Sequence, residues 1–311
     1  MTGQISDGFV DVEGNPRPEG ARLVWYEGKT GLRLRACFAP ATTPEPRGTC
    51  LVCPGRSEFI EKYFEVARDL QARGFAVVIF DWPGQGLSGR QLDDRLKGHI
   101  DRFETFLDAL QDGISAMDDL PRPFVSLAHS MGGAITLAAL CEGRLDVCAA
   151  AFCAPMWGLP VTPLLRLVIA GMMLSGRSEA YARKPGPPEQ FEGNEVTFDH
   201  AHWDLNRRLL EAAPDLCLGP PTWGWISASL KTLDRVTRPT ALRRIQIPVF
   251  VASAADEKLV VNAAHGRVAA ALPDCEHITV DGAMHEILME RPQKRSEFWS
   301  GFDRLLDRAG L

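Results

Sequence analysis

The stretch Leu127-Ala128-His129-Ser130-Met131-Gly132-Gly133 decides how the chain is read. It follows an apolar run, Phe124–Ala128, that predicts a strand, and it opens Gly132–Cys141, which predicts a helix. A serine on so tight a strand-to-helix turn is pushed out of the sheet top. Its hydroxyl is exposed there, and the next residue's N–H is aimed at the same point. Small residues two before and two after the serine let strand and helix approach closely. Here they are Ala128 and Gly132, so the pattern is A-x-S-x-G, one methyl away from its glycine form.

Working outward, short apolar runs alternate with amphipathic segments. Leu23–Tyr26 and Leu32–Phe38 predict a hairpin at a sheet edge, and Thr49–Cys53 a buried strand stopped by Pro54-Gly55. Glu61–Arg73 predicts a helix ending at Gly74, Ala76–Phe80 a strand buried on both faces, Ile100–Met117 a helix and Ala149–Cys153 a strand. The alternation argues for right-handed crossovers and a doubly wound, mostly parallel α/β sheet. It breaks between residues 155 and 240, a stretch rich in proline and holding Trp157, Trp203, Trp223 and Trp225. This reads as a mainly helical cap inserted into a core formed by residues 1–154 and 241–311. After it come a strand at Val249–Ser253, a helix at Asn262–Ala271, a strand at His277–Val280 and a terminal helix at Ser296–Asp307.

Composition narrows the function classes. The 311 residues are 45% hydrophobic and 24% charged, which is globular and excludes a disordered or collagen-like chain. With 34 basic and 40 acidic residues the net charge is -6, and no basic stripe marks a nucleic-acid binder. Met1–Asn15 carries three acids and no apolar run, so neither a secretory signal nor a transit peptide is expected. Leu164–Leu174, broken by Arg166, is too short to span a bilayer. The expected location is cytoplasmic, with the eight cysteines as reduced thiols. Cys50 and Cys53 form a C-x-x-C inside a buried strand, where a redox pair would not be reactive.

A serine hydroxyl becomes a nucleophile only beside a histidine base that is itself held by a carboxylate. On doubly wound sheets carrying this turn the order along the chain is Ser, acid, His, from successive strand ends. Asp256 lies just past the Val249–Ser253 strand and His285 just past His277–Val280. The expected triad is therefore Ser130, Asp256 and His285. Asp281 and Glu286 are weaker carboxylates, placed in the same loop as His285. His265 and His277 read as structural, His99 as packing or capping, and His129 as pointing away from Ser130. Acyl transfer also needs oxyanion donors. Met131 N–H supplies one, and Arg56 N–H, in the loop after Thr49–Cys53, the other.

Four separated motifs then carry a resemblance: P-G-R-S-E-F-I-E-K-Y (Pro54 to Tyr63), F-D-W-P-G-Q-G-L-S-G-R (Phe80 to Arg90), A-H-S-M-G-G (Ala128 to Gly133) and M-H-E-I-L-M-E (Met284 to Glu290). With L-G-P-P-T-W-G-W (Leu218 to Trp225), the chain resembles the bacterial lysophospholipase and monoacylglycerol lipase branch of the α/β-hydrolase superfamily. The resemblance spans nearly the whole chain. It implies a serine esterase with its nucleophile at Ser130, acid at Asp256, base at His285 and oxyanion donors at Arg56 and Met131. It departs where the family often has His-Gly, here Pro54-Gly55, and Gly, here Ala128. The implied substrate is a small lipid-like ester.

Other readings are weaker. His200-Ala201-His202 leads into a helical run, whereas H-x-H suits a metal on a strand. Gly84-Gln85-Gly86 and Gly132-Gly133 are not a dinucleotide fingerprint, and no Walker lysine is present, so no cofactor is implied. Pro163–Leu174 is expected to pack cap against core, with a lipid-facing lid helix and transient membrane contact as the alternative. Trp203, Trp223 and Trp225 are expected to line an acyl tunnel or to anchor the cap. An acyltransferase, a C–C or amide hydrolase and a non-catalytic binder remain rival functions on the same fold.

Overall fold

Uninterrupted apolar runs make strands that can be buried on both faces, and they build the centre of this molecule. The computed structural model describes residues 4–186 and 190–311. Its strands are β1 (Gln4–Ser6), β2 (Phe9–Asp11), β3 (Arg22–Glu27), β4 (Arg33–Ala39), β5 (Gly48–Cys53), β6 (Phe75–Asp81), β7 (Phe124–His129), β8 (Ala149–Cys153), β9 (Val249–Ala254) and β10 (Cys275–Val280). Its helices are α1 (Phe64–Gln71), α2 (Glu104–Ser115), α3 (Met131–Cys141), α4 (Pro163–Leu174), α5 (His200–Ala212), α6 (Trp223–Val236), α7 (Pro239–Leu242), α8 (Asn262–Ala271) and α9 (Pro292–Arg308).

Eight strands form one sheet in the order β3-β4-β6-β5-β7-β8-β9-β10. The β3–β4 and β4–β6 pairs are antiparallel, and every pair from β6 to β10 is parallel. This is the α/β-hydrolase fold. The two-residue period of a strand sends alternate side chains to opposite faces. Cys50, Val52, Val77 and Ile79 meet the core beneath α1 and α9, while Leu51, Cys53, Val78 and Phe80 meet the one beneath α2, α3 and α8. The central strands β5 to β9 are thus sandwiched, as their composition predicts.

Between β8 and β9 the described residues add no strand to the sheet; they hold α4, α5, α6 and α7. Their starts follow from capping. Thr162 accepts Leu165 N at 3.2 Å with Pro163 next, Asp199 accepts Ala201 N at 2.8 Å, and Thr222 accepts Trp225 N at 3.2 Å. Boundaries differ modestly from the sequence reading. The helix expected from Glu61 begins with a 3-10 turn at Ile60–Tyr63, and the terminal helix starts four residues early at Pro292, whose fixed φ suits a first helical position. The β1–β2 ribbon, paired Gln4 to Asp11, was not anticipated, because three-residue strands carry no period.

A buried ionic knot fixes the loops above one end of the sheet. Arg35 donates to Glu61 through Nη1 and Nη2, both at 2.9 Å, and to Asp81 through Nε at 2.7 Å, with all three side chains fully buried. Asp81 also accepts Ile60 N and Leu87 N, at 2.9 and 2.8 Å. Breaking one partner would leave a buried charge uncompensated, so the segments after β5 and β6 are held together.

Candidate active site

Ser130 occupies the single position between β7 and α3 and has φ 48° and ψ -117°, a conformation that costs a non-glycine residue about 1–3 kcal/mol. The surroundings enforce it. Ser130 N donates to Cys153 O at 3.2 Å, and its carbonyl accepts Gly133 N and Met156 N at 2.9 and 2.8 Å. Glycine is required at 132, where a β-carbon would sit 1.9 Å from Cys53 O. It is required again at Gly55, where a β-carbon would lie 3.0 Å from both Ser130 Cβ and the His129 ring. Ala128, fully buried and paired with Cys53 and Phe152, is accommodated as alanine.

His285 lies in the loop beyond β10 and places Nε2 2.8 Å from Ser130 Oγ. Its Nδ1 lies 2.6 Å from Oε2 of Glu257, not of Asp256. This corrects the sequence expectation. Asp256 is exposed, and its backbone N–H is tied to Ala283 O at 3.0 Å, which leaves its side chain facing solvent. Glu257 folds back from the next position. Its Oε1 accepts Leu259 N at 2.7 Å and Val260 N at 3.1 Å, which leaves Oε2 for the imidazole. The Glu257 side chain is only 1% exposed. Burial alone would raise its pKa, but the hydrogen bond and charge attraction of His285 outweigh that, and the net shift is downward. With Nδ1–H donated to Glu257, Nε2 is the ring nitrogen left to accept the Ser130 hydroxyl. Two adjacent acids, of which the longer turns inward, gave the sequence reading no spacing with which to separate them.

The loop after β5 stands beside the serine. Among the described residues neither Arg56 N–H nor Met131 N–H has a hydrogen-bond acceptor. Gln85 Nε2 donates to Gly55 O at 2.7 Å and to Glu58 O at 3.0 Å, and Trp82 Nε1 donates to Pro54 O at 2.9 Å. Because the carbonyl and N–H of one trans peptide point opposite ways, the Gln85 bond to Gly55 O sets the direction of Arg56 N–H. Glu58 completes the brace by accepting Gly55 N and, at 2.6 Å, the Tyr63 hydroxyl. Burial would raise the Glu58 pKa, yet Lys62 and His129 nearby bring it down to about 2. Gln85 and Glu58 were missed as site residues. The signal lay in the Pro54–Tyr63 and Phe80–Arg90 motifs, but nothing in their spacing said that they meet.

The remaining candidates fall into place. His129 turns away from the Ser130 hydroxyl to Cys153 O at 3.0 Å, and its ring packs 4.8 Å from that of His285. Glu286 pairs with Lys62 at 2.5 Å, and Asp281 is exposed. His265 and His277 share Ser253 Oγ, each at 2.8 Å, and His265 Nε2 donates to Pro155 O at 2.6 Å. His99 binds Thr222 Oγ1 at 2.8 Å. His202 meets Glu65 at 2.7 Å, joining α5 to α1, while His200 is exposed. Cys50 and Cys53 are buried thiols whose pKa values burial raises. One packing expectation is overturned: Leu164, Leu167, Val168 and Leu174 of α4 are exposed, and Ile169 is its one buried residue. Trp225 is buried, whereas Trp203 and Trp223 are half-buried. Among the described residues no helix is long and apolar enough to cross a membrane.

Residues 44–292 match the family described as serine aminopeptidase, S33. The probable lysophospholipase L2 of Haemophilus influenzae is 28% identical over 292 residues, covering 91% of each chain. Lysophospholipase L2 of Escherichia coli is 32% identical over 263 residues, covering 79% of this chain and 76% of that one. Among solved structures, a soluble variant of monoglyceride lipase from Saccharomyces cerevisiae superposes with a TM-score of 0.74 at 18% identity, covering 95% of this chain and 98% of that one. At that identity the superposition speaks for the fold.

Proposed function

Because the chain belongs to the serine aminopeptidase S33 family of α/β-hydrolases, we propose that Ser130, His285 and Glu257 cleave the carboxylic ester of a single-chain lipid, a lysophospholipid first and a monoacylglycerol second. The enzyme class, a carboxylic ester hydrolase, follows from its relatives. The observation that carries the residue roles is the hydrogen-bond chain from Ser130 Oγ through His285 to Glu257, at 2.8 and 2.6 Å.

In the reaction His285 Nε2 takes the Ser130 proton as Oγ attacks the ester carbon. The backbone N–H groups of Arg56 and Met131 hold the resulting oxyanion. The imidazolium, stabilised by Glu257, protonates the leaving alcohol and leaves an acyl-Ser130. Water deprotonated by His285 then attacks the acyl carbon, and Ser130 leaves with the proton. The strain at Ser130 and the braces from Gln85 and Glu58 keep these groups aligned before substrate arrives.

The insertion at residues 155–240 is assigned as a cap over this site. Its exposed leucines on α4 are assigned as a transient contact with lipid surfaces, from which a single-chain lipid would be drawn. Eight unpaired cysteines support a reducing, cytoplasmic setting. A panel of p-nitrophenyl esters of increasing acyl length, given to the wild type and to Ser130→Ala, tests the proposal. Hydrolysis that favours medium or long chains and vanishes in the variant is expected. Equal rates in the two proteins would remove the mechanism.

A further inference from the structure

We propose that the Arg56 side chain, with Arg183 as a second cation, binds the phosphate of a glycerol-based acyl ester, so that one residue serves the ester carbonyl through its backbone and the headgroup through its guanidinium. The inference rests on the functional reading above and assigns its headgroup site.

The Arg56 guanidinium reaches from the loop beside Ser130 into the inserted segment. Nη2 donates to Gly219 O at 2.7 Å, Nη1 to Ser57 Oγ at 3.2 Å, and the group lies 5.3 Å from the centre of the Trp225 ring. Nε is buried with no partner. Among the described residues no carboxylate pairs with Arg56, although the buried cations Arg35 and Lys62 each have two. A second cation, the exposed Arg183, acts on it by charge repulsion, and is carried by a segment joined to the base of α6 through Ala182 N to Pro221 O at 2.9 Å. Burial first, and Arg183 second, push the Arg56 pKa down to about 10. A buried guanidinium with an unpartnered Nε and no carboxylate is costly in the absence of an anion, and a phosphate, with oxygens matched to the guanidinium fork, supplies what is missing.

The spans agree as well. Six covalent bonds separate the backbone nitrogen of an arginine from its guanidinium carbon. Six bonds also separate the carbonyl carbon of a glycerol ester from the phosphorus of a phosphate on the far glycerol carbon. A substrate whose carbonyl oxygen meets Arg56 N–H can therefore lie alongside the side chain and bring its phosphate to the guanidinium.

The test compares kcat/KM for monododecanoylglycerol and for lysophosphatidylglycerol with the same acyl chain, in the wild type, Arg56→Met and Arg183→Gln, each checked for an unchanged melting temperature. The wild type should favour the phosphate-bearing ester. Arg56→Met should lower that preference about 10–100-fold, the range of a charge-assisted hydrogen bond. Arg183→Gln should lower it by a smaller factor, so the proposal does not depend on Arg56→Met folding. Glycerophosphoglycerol should inhibit cleavage of the neutral ester competitively in the wild type. Inorganic phosphate at the same concentration should not; equal inhibition by it would overturn the headgroup assignment. An unchanged preference in both variants, with both esters hydrolysed, would overturn the phosphate site and leave the ester hydrolase standing. Failure of the wild type to cleave either ester would overturn the functional reading, and this proposal with it.

Discussion

Replacing Glu257 by glutamine keeps the size of the side chain and removes its charge, while replacing Asp256 by asparagine does the same one residue away. The structure separates the two. Glu257 Oε2 lies 2.6 Å from His285 Nδ1 on a side chain 1% exposed, whereas Asp256 faces solvent. When Ser130 gives up its proton the imidazole becomes cationic. A unit charge pair at about 4 Å in surroundings of effective dielectric about 20 is worth about 4 kcal/mol, or roughly a thousandfold in rate. Glu257→Gln should therefore lower kcat/KM on a p-nitrophenyl ester by about 10³-fold. The exposed charge at Asp256 is screened by water and salt, so Asp256→Asn should stay within about threefold of the wild type. Thermal melting of each variant separates a loss of chemistry from a loss of fold. A loss in Asp256→Asn equal to or greater than that in Glu257→Gln would refute the reasoning and return the acid to its sequence-based position.

Other perturbations follow from the same geometry. Gly132→Ala places a methyl 1.9 Å from Cys53 O, against backbone that cannot move aside, so the variant should lose more than about 4 kcal/mol in chemical denaturation or fail to accumulate; near-normal stability would contradict the close approach of β5 and α3. His265 is buried and held neutral, its pKa pushed down to about 4 chiefly by burial, so its contribution is intact above about pH 6.5 and is lost as pH falls from there towards 4. That amounts to about 3 kcal/mol, and melting curves from pH 7 to pH 4 should fall less steeply for His265→Gln than for the wild type. Exchanging Leu164, Leu167 and Leu174 for serine should weaken sedimentation with phospholipid vesicles by about tenfold per residue while sparing turnover of a soluble ester, and unchanged sedimentation would dismiss α4 as the lipid contact.

Much of this architecture was written in local pattern. The apolar runs of β5, β6, β7 and β8 announce doubly buried strands, and the small residues around Ser130 announce the turn that exposes it, because these features depend on neighbours in sequence. Ser130 and His285 could be placed from strand order alone. The acid could not, since the choice between Asp256 and Glu257 turns on which side chain folds back onto the N–H groups of Leu259 and Val260. Likewise the braces from Gln85 and Glu58 join loops that lie far apart in sequence and meet beside the Arg35–Glu61–Asp81 knot. The exposed face of α4 escaped for the opposite reason: an apolar helix reads as buried unless its packing partners are known.

The central claim is that Ser130, activated by His285, is the nucleophile. Peptide mapping by mass spectrometry after exposure to a fluorophosphonate probe tests it most directly. One adduct is expected, on the peptide containing Ser130, absent in Ser130→Ala and formed far more slowly in His285→Ala. An adduct that forms elsewhere, or that persists in Ser130→Ala, would contradict it.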